Sequence, residues 1–277
     1  MAALTKTFNI EESRRSPESD LPGQTWKLVL AYDGTDFRGW QVQPDQRTIQ
    51  GELSTALQRV CGERVLPQGS GRTDAGVHAL GQVASFRLMA PIPPSNLQRA
   101  LNRTLPQAIR ILSAEIASKH FHARHSAIDK TYEYRIFRAD VCPPSLARYV
   151  YALNWPLDLE AMTIAGRGVI GEHDFTSFAA HDPDAATRNS GESEEASWVR
   201  TIRESGWRVE GYQLTYRVSG NGFLHHMVRN LVGTFLDVGR GALPPDSIPA
   251  ILAARCRGAA GPTAPARGLV LVGVNYP

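Results

Sequence analysis

Gly69-Ser70-Gly71-Arg72-Thr73-Asp74-Ala75-Gly76-Val77-His78-Ala79-Leu80-Gly81-Gln82-Val83-Ala84-Ser85-Phe86 begins as a turn and ends as a strand. Gly69 and Gly71 bracket Ser70, and glycine reaches φ > 0 without a Cβ clash. From Gln82, the apolar Val83, Ala84 and Phe86 lie among strand-compatible residues with no helical spacing. One carboxylate, Asp74, sits among small residues close after Arg72. Positions two apart share a side of an extended chain, so Arg72 is expected to face Asp74 and hold it ionised. Gly71 and Gly76 let a bulky ligand approach the backbone. An Asp capping a turn explains the same residues, so this stretch alone leaves its role open.

Upstream, Trp26 to Asp33 predicts a strand with Trp26, Leu28, Leu30 and Tyr32 on one face. Thr48 is an expected N-cap for a helix striped by Ile49, Leu53, Leu57 and Val60, with Gly62 as its stop. A short strand is expected at 64–66, a helix from Pro94-Ser95 to before Pro106, and a strand at Ile109–Ile116. Downstream, Lys130–Arg138 alternates as a strand with Tyr132, Tyr134 and Ile136 on one face. Asp158 predicts a helix cap, and Gly211 a hairpin joining strands at Thr201–Glu210 and Gln213–Ser219. Leu224, Val228, Leu231, Phe235 and Val238 form the best helical stripe in the chain, and Leu269–Asn275 a closing strand. The pattern is α+β: two halves, each a sheet with helices packed on it, and a cleft between them. We divide the chain into a disordered tail (1–24), an N-terminal half (25–118) and a C-terminal half (119–277) with a mobile polar loop at 181–197.

The formal net charge of +3 over 277 residues names no partner, but its distribution is uneven. Arg99 to Arg138 holds eight Lys or Arg against three acids, whereas Glu172 to Glu195 holds seven acids and one Arg. That asymmetry fits one basic face for a polyanion, and fits a solvated surface equally. The 3 cysteines, Cys61, Cys142 and Cys256, lie far apart and imply neither a disulfide framework nor zinc. No run has the length of a membrane span, and the N-terminus lacks the apolar core of a signal peptide, so a cytoplasmic protein is expected.

Gly71-Arg72-Thr73-Asp74-Ala75-Gly76-Val77-His78-Ala79 resembles the signature of the tRNA pseudouridine synthase A family. Tyr32-Asp33-Gly34-Thr35 and Gly39-Trp40-Gln41 precede it in the family's order. Phe121-His122-Ala123-Arg124, Lys130-Thr131-Tyr132-Glu133-Tyr134, His173-Asp174-Phe175, Phe223 to Asn230 and Gly268-Leu269 follow. The resemblance spans about residues 25–277. It implies a pseudouridine synthase-like mixed sheet with a central cleft, and an isomerase acting on uridines 38, 39 and 40 of tRNA. It also implies a homodimer, with no cofactor.

Converting uridine to pseudouridine breaks the bond from N1 to the sugar and joins C5 to the same carbon, with no net redox change. Positive character develops at that carbon, and one carboxylate can bond to it or stabilise it. Asp74 is the acid in place. The resemblance sets Tyr132 against the target base, where a phenol ring can stack and exchange a proton, and sets Leu269 at the pocket wall. Arg72 is expected to orient Asp74 or reach a phosphate. Arg124, His122, His225 and Arg229 are expected on RNA, and no metal site is expected, since Arg124 and Lys119 beside the histidines would repel a cation. A non-catalytic RNA-binding protein and a metal-dependent hydrolase using Asp33, Asp36 and Asp74 are the alternatives.

Overall fold

The structure is a computed structural model that describes residues 23–180 and 197–277. The tail expected over 1–24 and the loop expected over 181–197 lie outside the described residues, apart from Gly23, Gln24 and Ser197. β1 (Gln24–Tyr32) buries Trp26, Leu28, Leu30 and Tyr32, the alternation of a strand with one face in a core. α1 (Ile49–Cys61) starts where Thr48 accepts from the Gly51 N–H at 3.3 Å and stops at Gly62, which is left-handed at φ 74°. β2 (Gln68–Gly69) is a two-residue strand against β3 (His78–Leu88). α2 (Pro94–Thr104) buries Leu97 and Leu101, and β4 (Ile109–Ile116) follows.

The second half begins with β5 (Asp129–Phe137), which buries Tyr132, Tyr134 and Ile136 as the alternation requires. Then come α3 (Pro144–Ala147), β6 (Tyr151–Ala152), α4 (Leu159–Arg167, capped by Asp158) and β7 (Gly171–Asp174). β8 (Val199–Glu210) and β9 (Gln213–Gly220) form the hairpin turned at Gly211. α5 (Met227–Gly239) lays Phe235 against Trp207 and Tyr216, at ring-centroid distances of 6.2 Å and 5.2 Å. α6 (Ile248–Ala254) and β10 (Leu269–Asn275) complete the described elements.

All ten described strands join one mixed sheet, in the order β4-β1-β3-β10-β5-β9-β8-β7, with β2 added to β3 and β6 to β5. β10, last in the chain, joins the two halves. It runs parallel to β3, with Val270 beside His78, and antiparallel to β5, with Leu271 beside Tyr132. At about 4.8 Å per strand, the strand leaving the Asp74 loop is thereby held roughly 10 Å from the strand carrying Tyr132.

Three expectations are corrected. Residues 64–66 form no strand; the Glu63 carboxylate instead ties this segment to the end of β3 by accepting from the Met89 and Ala90 N–H groups. β3 begins at His78 rather than Gln82, because β10 supplies a pairing partner that local pattern does not reveal. α5 begins at Met227 rather than near Leu224, because His226 is left-handed at φ 59° and interrupts the helical run.

Candidate active site

The loop that carries Asp74 is anchored on both sides of the carboxylate. Before it, the Thr73 hydroxyl meets the Tyr32 hydroxyl at 2.8 Å, and the Thr73 carbonyl accepts from the Trp40 N–H at 3.0 Å. After it, the Val77 N–H returns to the Asp74 carbonyl at 3.1 Å, closing a turn that Gly76 permits by standing at φ 80°. Gln82 reaches back from β3, donating to the Gly71 carbonyl at 2.9 Å, while its side-chain oxygen meets the Ser70 hydroxyl at 2.6 Å. Gly34 supports the same turn, since a Cβ there would stand 2.0 Å from the Val77 carbonyl oxygen. The backbone around Asp74 is therefore held by side chains and carbonyls of β1, β3 and the loop after β1.

The Asp74 side chain is 19% exposed, and its charge partner comes from the other half of the protein. Arg229, on the first turn of α5, donates from Nη1 to Asp74 Oδ2 at 2.8 Å. The same guanidinium donates from Nε to the Ala264 carbonyl at 2.8 Å, which fixes its direction. His226 Nε2 stands 3.4 Å from Oδ2 and His225 Nε2 3.6 Å from Oδ1, with the two rings 4.0 Å apart between centroids. Burial pushes the His226 pKa down; the Asp74 carboxylate pulls it up, against the positive charges of Arg229 and Arg257. A His226 imidazole that burial disfavours from protonation thus lies beside an aspartate that a guanidinium already compensates.

Tyr132 is buried on β5, edge-on to Phe223 with ring centroids 5.1 Å apart and planes at 80°. Burial, then the nearby Tyr32 and the Asp74 charge, raise its pKa well above that of free tyrosine, so its hydroxyl stays protonated at neutral pH. Leu269 is buried at the head of β10, opposite Tyr134, whose hydroxyl donates to the Pro265 carbonyl at 2.8 Å. Arg72 is exposed. His122 turns inward on its own segment, with Nδ1 accepting from the Arg124 N–H at 3.1 Å and its ring 4.3 Å from that of His125. Arg124 is exposed beside it.

Sequence spacing brought Arg72 to Asp74, whereas the folded chain brings Arg229 from 155 residues away. The motif Phe223 to Asn230 marked Arg229 as notable, but no spacing rule links it to a loop in the other half. The acids at 33 and 36 do not gather with Asp74. Asp33 accepts from Thr35 N–H (3.0 Å), Thr35 hydroxyl (2.6 Å) and Tyr149 hydroxyl (3.0 Å), and Asp36 pairs with Arg148 at 2.5 Å. Among the described residues, the group of potential metal ligands that does form is Asp74, His225 and His226, with donor atoms within 4.8 Å of one another. Arg229 places a permanent positive charge on the same carboxylate.

Fold and site define a class: an α+β protein with one mixed sheet and a partly exposed carboxylate paired with a guanidinium 155 residues further along the chain. The sequence model of one family, described as tRNA pseudouridine synthase, matches residues 28–126 and 165–277. A Solibacter usitatus protein named tRNA pseudouridine synthase A is 50% identical over 251 residues, covering 90% of this chain and 98% of its own length. A protein of that name from Moorella thermoacetica is 45% identical over 252 residues, with coverage of 90% and 98%. The chain belongs to the tRNA pseudouridine synthase family. A solved Cbf5-Nop10-Gar1 complex overlaps 95% of this chain and 61% of the compared chain with TM-score 0.33 and 12% identity, too loosely to bear on function. Among the described residues, no helix is long and apolar enough to cross a membrane.

Proposed function

We propose that the protein isomerises uridine to pseudouridine in the anticodon stem-loop of tRNA, at positions 38, 39 and 40, with Asp74 as the catalytic group. The observation that carries this is the Asp74 carboxylate, partly open to solvent and paired with the Arg229 guanidinium at 2.8 Å inside the family's signature loop. A negative charge beside C1′ meets the positive character that develops there as the N1–C1′ bond breaks. The freed uracil turns, C5 bonds to C1′, the C5 proton leaves and N1 gains one. Tyr132 offers its ring as a stacking face and its neutral hydroxyl as a proton donor, while Leu269 closes the wall of the pocket. A paired uridine must leave its stack to reach Asp74, which costs a few kcal/mol that phosphate contacts offset. Arg72, Arg124, His122 and His225 are placed on the RNA in this scheme. A cytoplasmic homodimer acting without a cofactor is the form that the family resemblance supports.

The test is nucleoside chromatography of an unmodified tRNA transcript after incubation with the purified protein. Pseudouridine confined to the anticodon arm is expected. A transcript with its uridines intact, or with one cleaved at a glycosidic or phosphodiester bond, would overturn the proposal.

A further inference from the structure

Lys130, near the start of β5, turns its ammonium toward the catalytic loop. Its Nζ lies 3.3 Å from the point where a Cβ on Gly71 would stand, three residues before Asp74. Burial lowers its pKa to about 8, and the charges acting on it, those of Arg124 and Arg200, are both positive. Arg200 is itself partly buried and pushed down by burial and by Arg124. Its Nη1 donates to the Ser197 and Val199 carbonyls at 2.7 Å and 2.6 Å, which holds it in place.

The nearby acids are committed elsewhere. Asp129 pairs with Arg203 at 2.5 Å, Glu133 with Arg135 and Arg217 at 3.1 Å and 3.0 Å, and Asp74 with Arg229 at 2.8 Å. Among the described residues, Lys130 Nζ has neither an ion pair nor a hydrogen bond. Holding a partly buried ammonium near two guanidinium groups, with no acid paired to it, is unfavourable until an anion arrives. A point charge set against the Gly71 loop, with two guanidinium groups near enough for their charge to act on it, suits the non-bridging oxygens of a phosphate. In a nucleotide the backbone phosphates lie one sugar ring away from C1′, the atom that Asp74 addresses.

We propose that Lys130, Arg124 and Arg200 seat one of the two phosphodiesters flanking the target uridine, and so fix the sugar against Asp74. This rests on the proposed function for the identity of the RNA, but its test reads binding and not isomerisation. The probe is a tRNA with a single uncharged methylphosphonate on the 5′ or the 3′ side of the target uridine. Against native protein, one of these two linkages should weaken binding about tenfold, the loss of one charge-assisted contact. Lys130→Met keeps the aliphatic stem; it should bind unmodified tRNA about tenfold more weakly, flatten the salt slope by about one, and be indifferent to the neutral linkage.

Equal penalties in native and Lys130→Met proteins at both linkages would overturn the proposal, as would native affinity and salt slope in the variant. Should Lys130→Met melt early, Arg200→Gln carries the same cycle, with the same outcomes deciding. If the native protein makes no pseudouridine and the linkage penalty still vanishes in the variant, the proposed isomerisation fails while the phosphate seat stands.

Discussion

Asp33 and Asp74 sit in similar company, and the difference between them is where their hydrogen-bond donors come from. Each has a histidine within 3.6 Å, an arginine and a tyrosine nearby. Asp33 is served by its own turn: Thr35 donates twice, and Tyr149 takes the other oxygen. Burial raises its pKa, but these bonds and the charge of His78 outweigh it and leave the group below the ordinary carboxylate value. Asp74 takes nothing from its own loop. Oδ2 receives Arg229, while Oδ1 carries no hydrogen bond among the described residues and has His225 at 3.6 Å as its ion-pair neighbour. A carboxylate with donors on both oxygens has little room for a further partner, whereas one bonded at a single oxygen keeps the other open.

Exchanging the two acids' fates is the strongest way to break this comparison. Asp74→Asn keeps the shape and removes the charge, so single-turnover pseudouridine formation should fall below detection with the melting temperature nearly unchanged. Asp33→Asn should do the reverse, losing about 1–2 kcal/mol of stability in urea titration while the chemical step stays within about threefold of native. Comparable rates in native and Asp74→Asn proteins would move the reacting group elsewhere. Loss of chemistry in a folded Asp33→Asn protein would dissolve the distinction.

Next in size is Arg229→Met, which removes the guanidinium but fills much of its volume. The carboxylate then loses both its compensating charge and the donor that fixes Oδ2. At neutral pH the single-turnover rate should drop roughly a hundredfold, the scale of losing one preorganised charged contact. A single-turnover rate close to native would reduce Arg229 to a link between α5 and the Ala264 carbonyl.

The smallest effect concerns the histidines on the two acids. His78 Nδ1 accepts from the Gly34 N–H at 3.1 Å, which requires that nitrogen unprotonated, and burial lowers its pKa despite the pull of Asp33. His226 is lowered by the same first cause. In the unfolded chain both titrate near a pKa of about 6.5, so they bind more protons unfolded than folded below that value. Their contribution to stability is therefore complete above about pH 6.5 and is lost as pH falls toward the folded values. The urea midpoint should decline between about pH 7 and 5, and His226→Asn should decline less steeply, since asparagine accepts the left-handed backbone at φ 59°. Identical slopes would mean that His226 titrates alike folded and unfolded.

What the sequence determined by itself is local in its physics. Thr48 and Gly62 bound α1 because a hydroxyl accepts an N–H within its own turn and a glycine takes a left-handed angle without neighbours' help. Trp26 to Tyr32 and Tyr132 to Ile136 could be laid on buried faces because strand alternation is a property of the chain alone. The family was legible because the motif around Asp74 is contiguous. Tertiary structure alone decided the rest. The start of β3 at His78 waited on β10, which reaches it only after the whole chain has folded back. The partner of Asp74 is Arg229 and not Arg72, since an ion pair is set by distance in space, and 155 residues of chain carry no period that encodes it. Lys130 reads in the sequence as one more polar position on a strand; only its place beside Gly71, within reach of the charges of Arg124 and Arg200, makes it a partly buried cation without an acid, because desolvation is a property of the surroundings and not of the residue.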